Sequence, residues 1–195
     1  QHPKEIFITD DAFNANVDRA VEILNGIAPY CREHDIILRL SCRGDAHHVT
    51  EKFLEACQAA RVWRIFYGVE TGVQTLADQM GKHLSLEEVR TSIWKTHDYG
   101  ISTDCSFIIG MPDDTDESLG QTLEFAASLK SYCGFAYATP FPGTKLREIV
   151  ESENLWACPK LETDWERYTL GNPLLRTRHL PVERVTYWHQ QAQQL

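Results

Sequence analysis

No stretch of this chain is apolar for long enough to cross a membrane, since its hydrophobic runs fall far short of the roughly 18 residues a spanning helix needs. Positive charge is also scarce. Lys and Arg number 19 against 28 Asp and Glu, giving a net charge of −9, and this argues against nucleic acid or an anionic membrane surface as the main partner. The six cysteines are Cys31, Cys42, Cys57, Cys105, Cys133 and Cys158, and no two are close enough for a CxxC or CxxxC pair. That spacing excludes a metal or iron–sulfur site built from neighbouring cysteines inside this chain. Low-complexity segments and solenoid repeats are absent too. What is present is ordinary globular material, 43% hydrophobic and 24% charged over 195 residues. It is enough for one domain with a sizeable core, or one domain plus an extension. The cysteines read as reduced core thiols of a cytoplasmic protein.

The organising stretch is 64–82. It opens as a short apolar strand, stops at Gly68, and sets Glu70 at the strand's C-terminal end, with Lys82 twelve positions later. Parallel α/β proteins hold ligands outside the carboxyl ends of their strands. An anion and a cation delivered there together suit the two ends of a zwitterionic ligand. Strands are expected over 4–9, 36–40, 64–68, 101–109 and 134–139. Helices are expected over 17–31 behind an Asn16 cap, over 50–60 behind Thr50, and over 85–99 behind a Ser85/Glu88 capping box with Gly100 as the stop. Two more fall over 116–130 and 145–151. Such alternation means right-handed βαβ units and a parallel sheet. Five strands are too few for an eight-stranded barrel and suit an open sheet or an incomplete barrel. From residue 152 the rhythm is lost: Trp156, Trp165 and Trp188 read as packing anchors, and a last helix is expected over 181–194. Residues 1–150 are therefore expected to form the α/β domain, with 151–195 an extension packed on it.

Polar residues gather at the strand ends: Asp10 and Asp11, Ser41 and Arg43, Glu70 and Thr71, Gly110 with Asp113 and Asp114, and Thr139. Strand tips of a barrel converge, so these are candidates for a ring around one ligand. Strand ends also meet loops and loops are polar, so the pattern alone leaves both readings open. His47, His48 and His83 have no partner at ligand spacing and read as surface residues.

Four motifs carry a resemblance. They are Asp10-Asp11-Ala12-Phe13-Asn14-Ala15-Asn16, Gly68-Val69-Glu70 with Met80-Gly81-Lys82, Phe107-Ile108-Ile109-Gly110-Met111-Pro112-Asp113-Asp114-Thr115, and Pro140-Phe141-Pro142-Gly143-Thr144. In order and spacing they resemble the radical S-adenosylmethionine (radical SAM) superfamily, most closely its Elp3-, MiaB- and cobalamin-dependent-type branch, over about residues 4–146. The resemblance implies an incomplete parallel (β/α) barrel, strands two to six of a six-stranded one. It implies S-adenosylmethionine and a 4Fe–4S cluster as cofactors, the cluster cleaving S-adenosylmethionine to a 5′-deoxyadenosyl radical that abstracts hydrogen from a small-molecule substrate. By position, Gly110, Met111 and Pro112 match the tip that lies against adenine. Glu70 matches the acceptor for ribose hydroxyls and Lys82 the cation for the methionyl carboxylate. Ser41 and Arg43 match a tip that touches ribose or methionine, and Ser106 is a further ribose candidate. Asp10 and Asp11 stand where relatives place a Gly-Gly-Glu tip for the methionine amino group. Each has a plainer reading beside this one, such as a strand-ending turn at Gly110–Pro112 or an Arg43–Asp45 pair.

The cluster-binding CxxxCxxC motif of that family is absent here. With the abrupt opening, this leads to the expectation of a piece cut from a longer protein, inactive by itself, whose motif lies upstream. The Asp-Asp-x-Phe and Pro-Phe-Pro-Gly-Thr features add an upstream cobalamin-binding domain as an implied partner, as in anaerobic Mg-protoporphyrin monomethyl ester cyclase-like oxidoreductases and methylases. The alternatives are a self-contained α/β-barrel hydrolase or aldolase and a non-enzymatic flavodoxin-like binding module.

Overall fold

The computed structural model describes residues 4–82, 85–158 and 164–195. Twelve elements carry the fold. In order they are β1 (Glu5–Ile8), α1 (Val17–Glu33), β2 (Arg39–Gly44), α2 (Glu51–Ala59), β3 (Val62–Glu70), α3 (Gln74–Gln79), α4 (Leu86–Asp98), β4 (Ser102–Ile109), α5 (Asp116–Ser128), β5 (Tyr132–Tyr137), α6 (Lys145–Ser152) and α7 (Val182–Ala192). The five strands form one open parallel sheet in the order β1-β2-β3-β4-β5. Consecutive order is what a strip of barrel gives. A flavodoxin-like module would run 2-1-3-4-5, so that alternative fails.

The expected elements are present with shifted ends. β3 passes straight through Gly68 and finishes on Glu70. β2 begins three residues late, because the chain leaves α1 through Asp35 at φ 51 and spends 36–38 returning to the sheet, with Ile37 79% exposed. As a result Ser41 and Arg43 lie inside β2 rather than at its tip. The Asn16, Thr50 and Ser85 caps all form, the last as a complete capping box with Glu88. Ser85 and Glu88 thereby satisfy amides that the first turn of α4 cannot pair internally.

By its contacts the chain divides into two compact units. The first comprises Gln1–Val69, His83–Cys105 and Leu129–Tyr132. Here β1 pairs with β2 and β2 with β3, both parallel, with a register shift at Leu40/Ser41. Leu40, Cys42, Ile65 and Tyr67 point to the side packed by helices, and with Leu24, Phe53, Leu54 and Ile93 they build the core. Full burial of each such apolar side chain is worth about 1.5–3 kcal/mol. The Tyr67 hydroxyl is buried in that core and shares a 3.0 Å hydrogen bond with Thr96 Oγ1. Asn14, wholly buried, donates to the Asp45 carbonyl at 2.8 Å and accepts from the Asp45 amide at 2.7 Å. It thereby fastens the loop after β1 to the turn after β2.

The second unit comprises Glu70–Lys82, Ser106–Ser128 and Cys133–Leu195. Phe107 stacks on Phe135 at 5.2 Å between ring centroids, and Tyr137 stacks on His189 of α7 at 4.0 Å. Ala138, Val150, Leu155, Trp156, Leu174 and Leu175 make a second buried cluster. Trp156 is thus a packing anchor, and Trp188 donates to Asp116 at 2.6 Å. Trp165 departs from expectation: it stays mostly exposed, with Tyr168 as its ring neighbour at 4.8 Å. The expected surface position of His83 lies outside the described residues. Among the described residues no helix is long and apolar enough to cross a membrane.

Candidate functional site

In the first unit, Asp10 and Asp11 have already left β1 and sit in a turn. Arg19 donates to Asp10 at 2.7 Å. Arg43 lies 3.8 Å from Asp11 and 5.8 Å over the Phe7 ring, so its partner is Asp11. Asp45 instead accepts from the His47 amide and lies 3.4 Å from His48. Ser41 is buried and donates to Glu5 at 3.0 Å, and the same Glu5 oxygen accepts from the Trp63 indole at 3.1 Å. The structure therefore brings Asp11 and Arg43 together. It commits Ser41 elsewhere. The Asp10 and Asp11 pairs are exposed and cost little to break.

In the second unit, Glu70 ends β3 at φ 73, a left-handed conformation that an L-residue adopts at a cost. Its carboxylate lies 3.6 Å from the Lys82 ammonium, so the anion and cation singled out in the sequence do meet. Burial raises the Glu70 pKa above the usual carboxylate value, and Lys82 pulls it part of the way back. The turn after it is held by Thr71 and Thr122: the Gly72 amide donates to Thr122 Oγ1 at 3.0 Å. A Cβ on Gly72 would come within 2.6 Å of the Thr122 backbone.

The tip after β4 is held by several fixed contacts. Gly110 has φ 90, and a Cβ there would meet Val185 of α7 at 2.8 Å. The Gly110 and Met111 amides both donate to one Asp114 carboxylate oxygen at 2.9 Å, and Ser118 donates to the other at 2.9 Å. Burial nevertheless pushes the Asp114 carboxyl up to about 6. Asp114 was legible only as one more polar tip residue, four positions beyond Gly110. Ser106 lies on the exposed face of β4. Met111, Pro112 and Asp113 then line, with Leu76 of α3, Met80 just after it and Leu146 of α6, a pocket of about 320 Å³. α3 ends at Gln79, three residues before Lys82.

The family model of the Radical SAM superfamily matches residues 2–126. This chain belongs to that superfamily. Among curated relatives, an uncharacterised methyltransferase of Pyrococcus horikoshii is 28% identical over 184 residues, 94% of this chain and 38% of its own length. The anaerobic magnesium-protoporphyrin IX monomethyl ester cyclase of Rubrivivax gelatinosus is 26% identical over 128 residues, 65% of this chain and 22% of the cyclase. The chain thus spans well under half the length of these relatives. Among solved structures, the radical SAM methyltransferase TsrM of Kitasatospora setae, described with cobalamin and a 4Fe–4S cluster bound, aligns with a TM-score of 0.70 at 21% identity. That alignment covers 90% of this chain and 35% of TsrM. At that identity the likeness speaks for the fold.

The residues present fit one family cofactor and not the other. A pocket lined by Met111 and Pro112 suits a purine, and the Glu70–Lys82 pair, in the same unit though not part of that lining, offers an acceptor for hydroxyls and a cation for a carboxylate. An iron–sulfur cluster finds no seat among the described residues. Among the described residues no three His, Cys, Asp or Glu converge for a metal, and Cys42, Cys57 and Cys105 are core thiols. Burial pushes Cys42 up to about 12, away from the thiolate a cluster requires.

Proposed function

We propose that this chain is the S-adenosylmethionine-binding part of a radical SAM enzyme, of the methyltransferase or cyclase kind, acting on a small molecule in the cytoplasm. The observation that carries the reading is the apolar pocket of about 320 Å³ against Met111 and Pro112, a volume in the range of small-ligand sites. In this reading the Gly110–Met111–Pro112 backbone lies along the adenine. Glu70 accepts from the ribose hydroxyls. Lys82 swings from Glu70 to the methionyl carboxylate. Ser106, in the same unit, is a further candidate for the ribose. When bound, the cofactor supplies hydrogen-abstracting radical chemistry, and the chain's own part is orientation and exclusion of water.

The 4Fe–4S ligands and a cobalamin-binding domain lie outside this chain on our proposal, so the chain alone is inactive. Residues 151–195 act as an extension of the barrel domain. The amide of Tyr137 donating to Leu170 and that of Arg178 donating to Pro112 support this arrangement.

Titration calorimetry with S-adenosylmethionine tests the site. We expect binding by this chain that Glu70→Gln and Lys82→Met each weaken about tenfold, the effect of one lost charged hydrogen bond. Absence of binding would redirect the pocket to another ligand. For the enzyme, a polypeptide extended to the relatives' length and reconstituted anaerobically with iron and sulfide should release 5′-deoxyadenosine on reduction. If such a polypeptide assembles a cluster yet leaves S-adenosylmethionine intact, the enzymatic reading fails.

A further inference from the structure

The 110–114 tip is held largely from outside its own neighbourhood in sequence. The Arg178 amide donates to the Pro112 carbonyl at 2.9 Å, and the Thr177 hydroxyl donates to the Asp114 carbonyl at 2.9 Å. The Arg178 guanidinium donates to Asp113 through one nitrogen and to both oxygens of Glu153 at 2.6 Å through the other two. Glu153 directly follows α6, which carries Leu146 and Ile149 to the pocket. Asp113 is on the opposite wall with Met111 and Pro112. One side chain therefore fastens both walls. It lies well beyond residue 126, where the family match ends.

From this geometry we infer that Arg178, seconded by Thr177, is a positioning residue for the cofactor. It is a clasp that fixes the spacing between the Gly110–Asp114 tip and α6, and so sets the affinity for an adenine-bearing ligand. The inference rests on the reading of the pocket as the S-adenosylmethionine site. A planar fork that meets one carboxylate with two parallel bonds and still reaches a second is work for arginine. The groups facing it are Asp113 and Glu153, which make it the charge centre of the clasp.

The test is equilibrium dialysis of this chain against S-adenosylmethionine, with hydrogen exchange followed over 110–114 and 145–153 and thermal unfolding as the control. Arg178→Ala should weaken binding roughly three- to tenfold, the scale of a partly exposed ion-pair network. It should also speed exchange in both segments while the unfolding midpoint moves little. Arg178→Lys keeps the charge without the fork and should recover part of the affinity. Glu153→Ala should loosen 145–153 and leave 110–114 protected. Wild-type affinity retained by Arg178→Ala would overturn the clasp and leave the pocket reading intact. A loss of binding that only tracks a collapse of the unfolding midpoint, with no rescue by lysine, would mark Arg178 as ordinary scaffolding and also overturn it. Wild-type protein that binds no S-adenosylmethionine would sink the pocket reading, and the clasp's role in affinity with it.

Discussion

Gly110 meets two demands that no other residue satisfies together: a backbone at φ 90 and no Cβ in the way of Val185. Gly110→Ala should therefore destabilise the fold by about 1–3 kcal/mol and abolish cofactor binding, measurable by urea unfolding alongside calorimetry. Its neighbour Asp114 makes a prediction in pH. Burial raises its folded pKa from 3.8 to about 6, so between those values the folded state holds a proton that the unfolded state has lost. The stability contributed by that proton is complete below pH 4, declines as pH rises toward 6, and is flat above. Asp114→Asn removes the titration, so the difference in unfolding free energy between wild type and variant should change between pH 4 and 6 and be constant from 7 upward. Of these residues Gly110 was legible in the sequence and Asp114 only half so. Thr177 and Arg178 were not, because their partners lie 25 to 65 positions away and no local pattern marks such a bond.

Element type was easier to read than element ends. Strand-then-helix alternation is written in hydrophobic runs and caps, and all three expected caps form. The stops were hidden because α1, α2, α5 and α6 are followed by Asp35, Arg61, Lys130 and Asn154 in left-handed conformations, with no glycine to announce them. Gly100, with φ 72 after α4, was the readable exception. The late start of β2 follows from the Asp35 turn, and it moved Arg43 to Asp11 and Ser41 to Glu5. In the sequence Asn14 stands out only as part of a motif, yet it makes both backbone bonds to Asp45 from a fully buried position. Asn14→Ala should cost about 2–4 kcal/mol by leaving that amide and carbonyl unpaired. A lower urea midpoint with unchanged denaturant slope would bear this out.

At the scale of the molecule, consecutive strand order could be inferred from unbroken βαβ rhythm, since right-handed crossovers leave few other arrangements. The division into two compact units was not visible, because three of its boundaries cut through strands β3, β4 and β5. Among the described residues β1 pairs with β2 alone, and it shows Ile6 and Phe7 to solvent. Phe7→Lys should reduce concentration-dependent association of this chain in light scattering, as charged residues do on open sheet edges. The left-handed backbone of Glu70 has a consequence for how such a chain would drift. Glycine would relieve the conformational cost, so Glu70→Gly should raise unfolding stability by up to about 1 kcal/mol while deleting the carboxylate. A library selected only for survival of heat would then accumulate glycine at this position, and one selected for ligand would keep glutamate. Which of the two letters persists in a lineage would report, without any assay, whether its pocket is still in use.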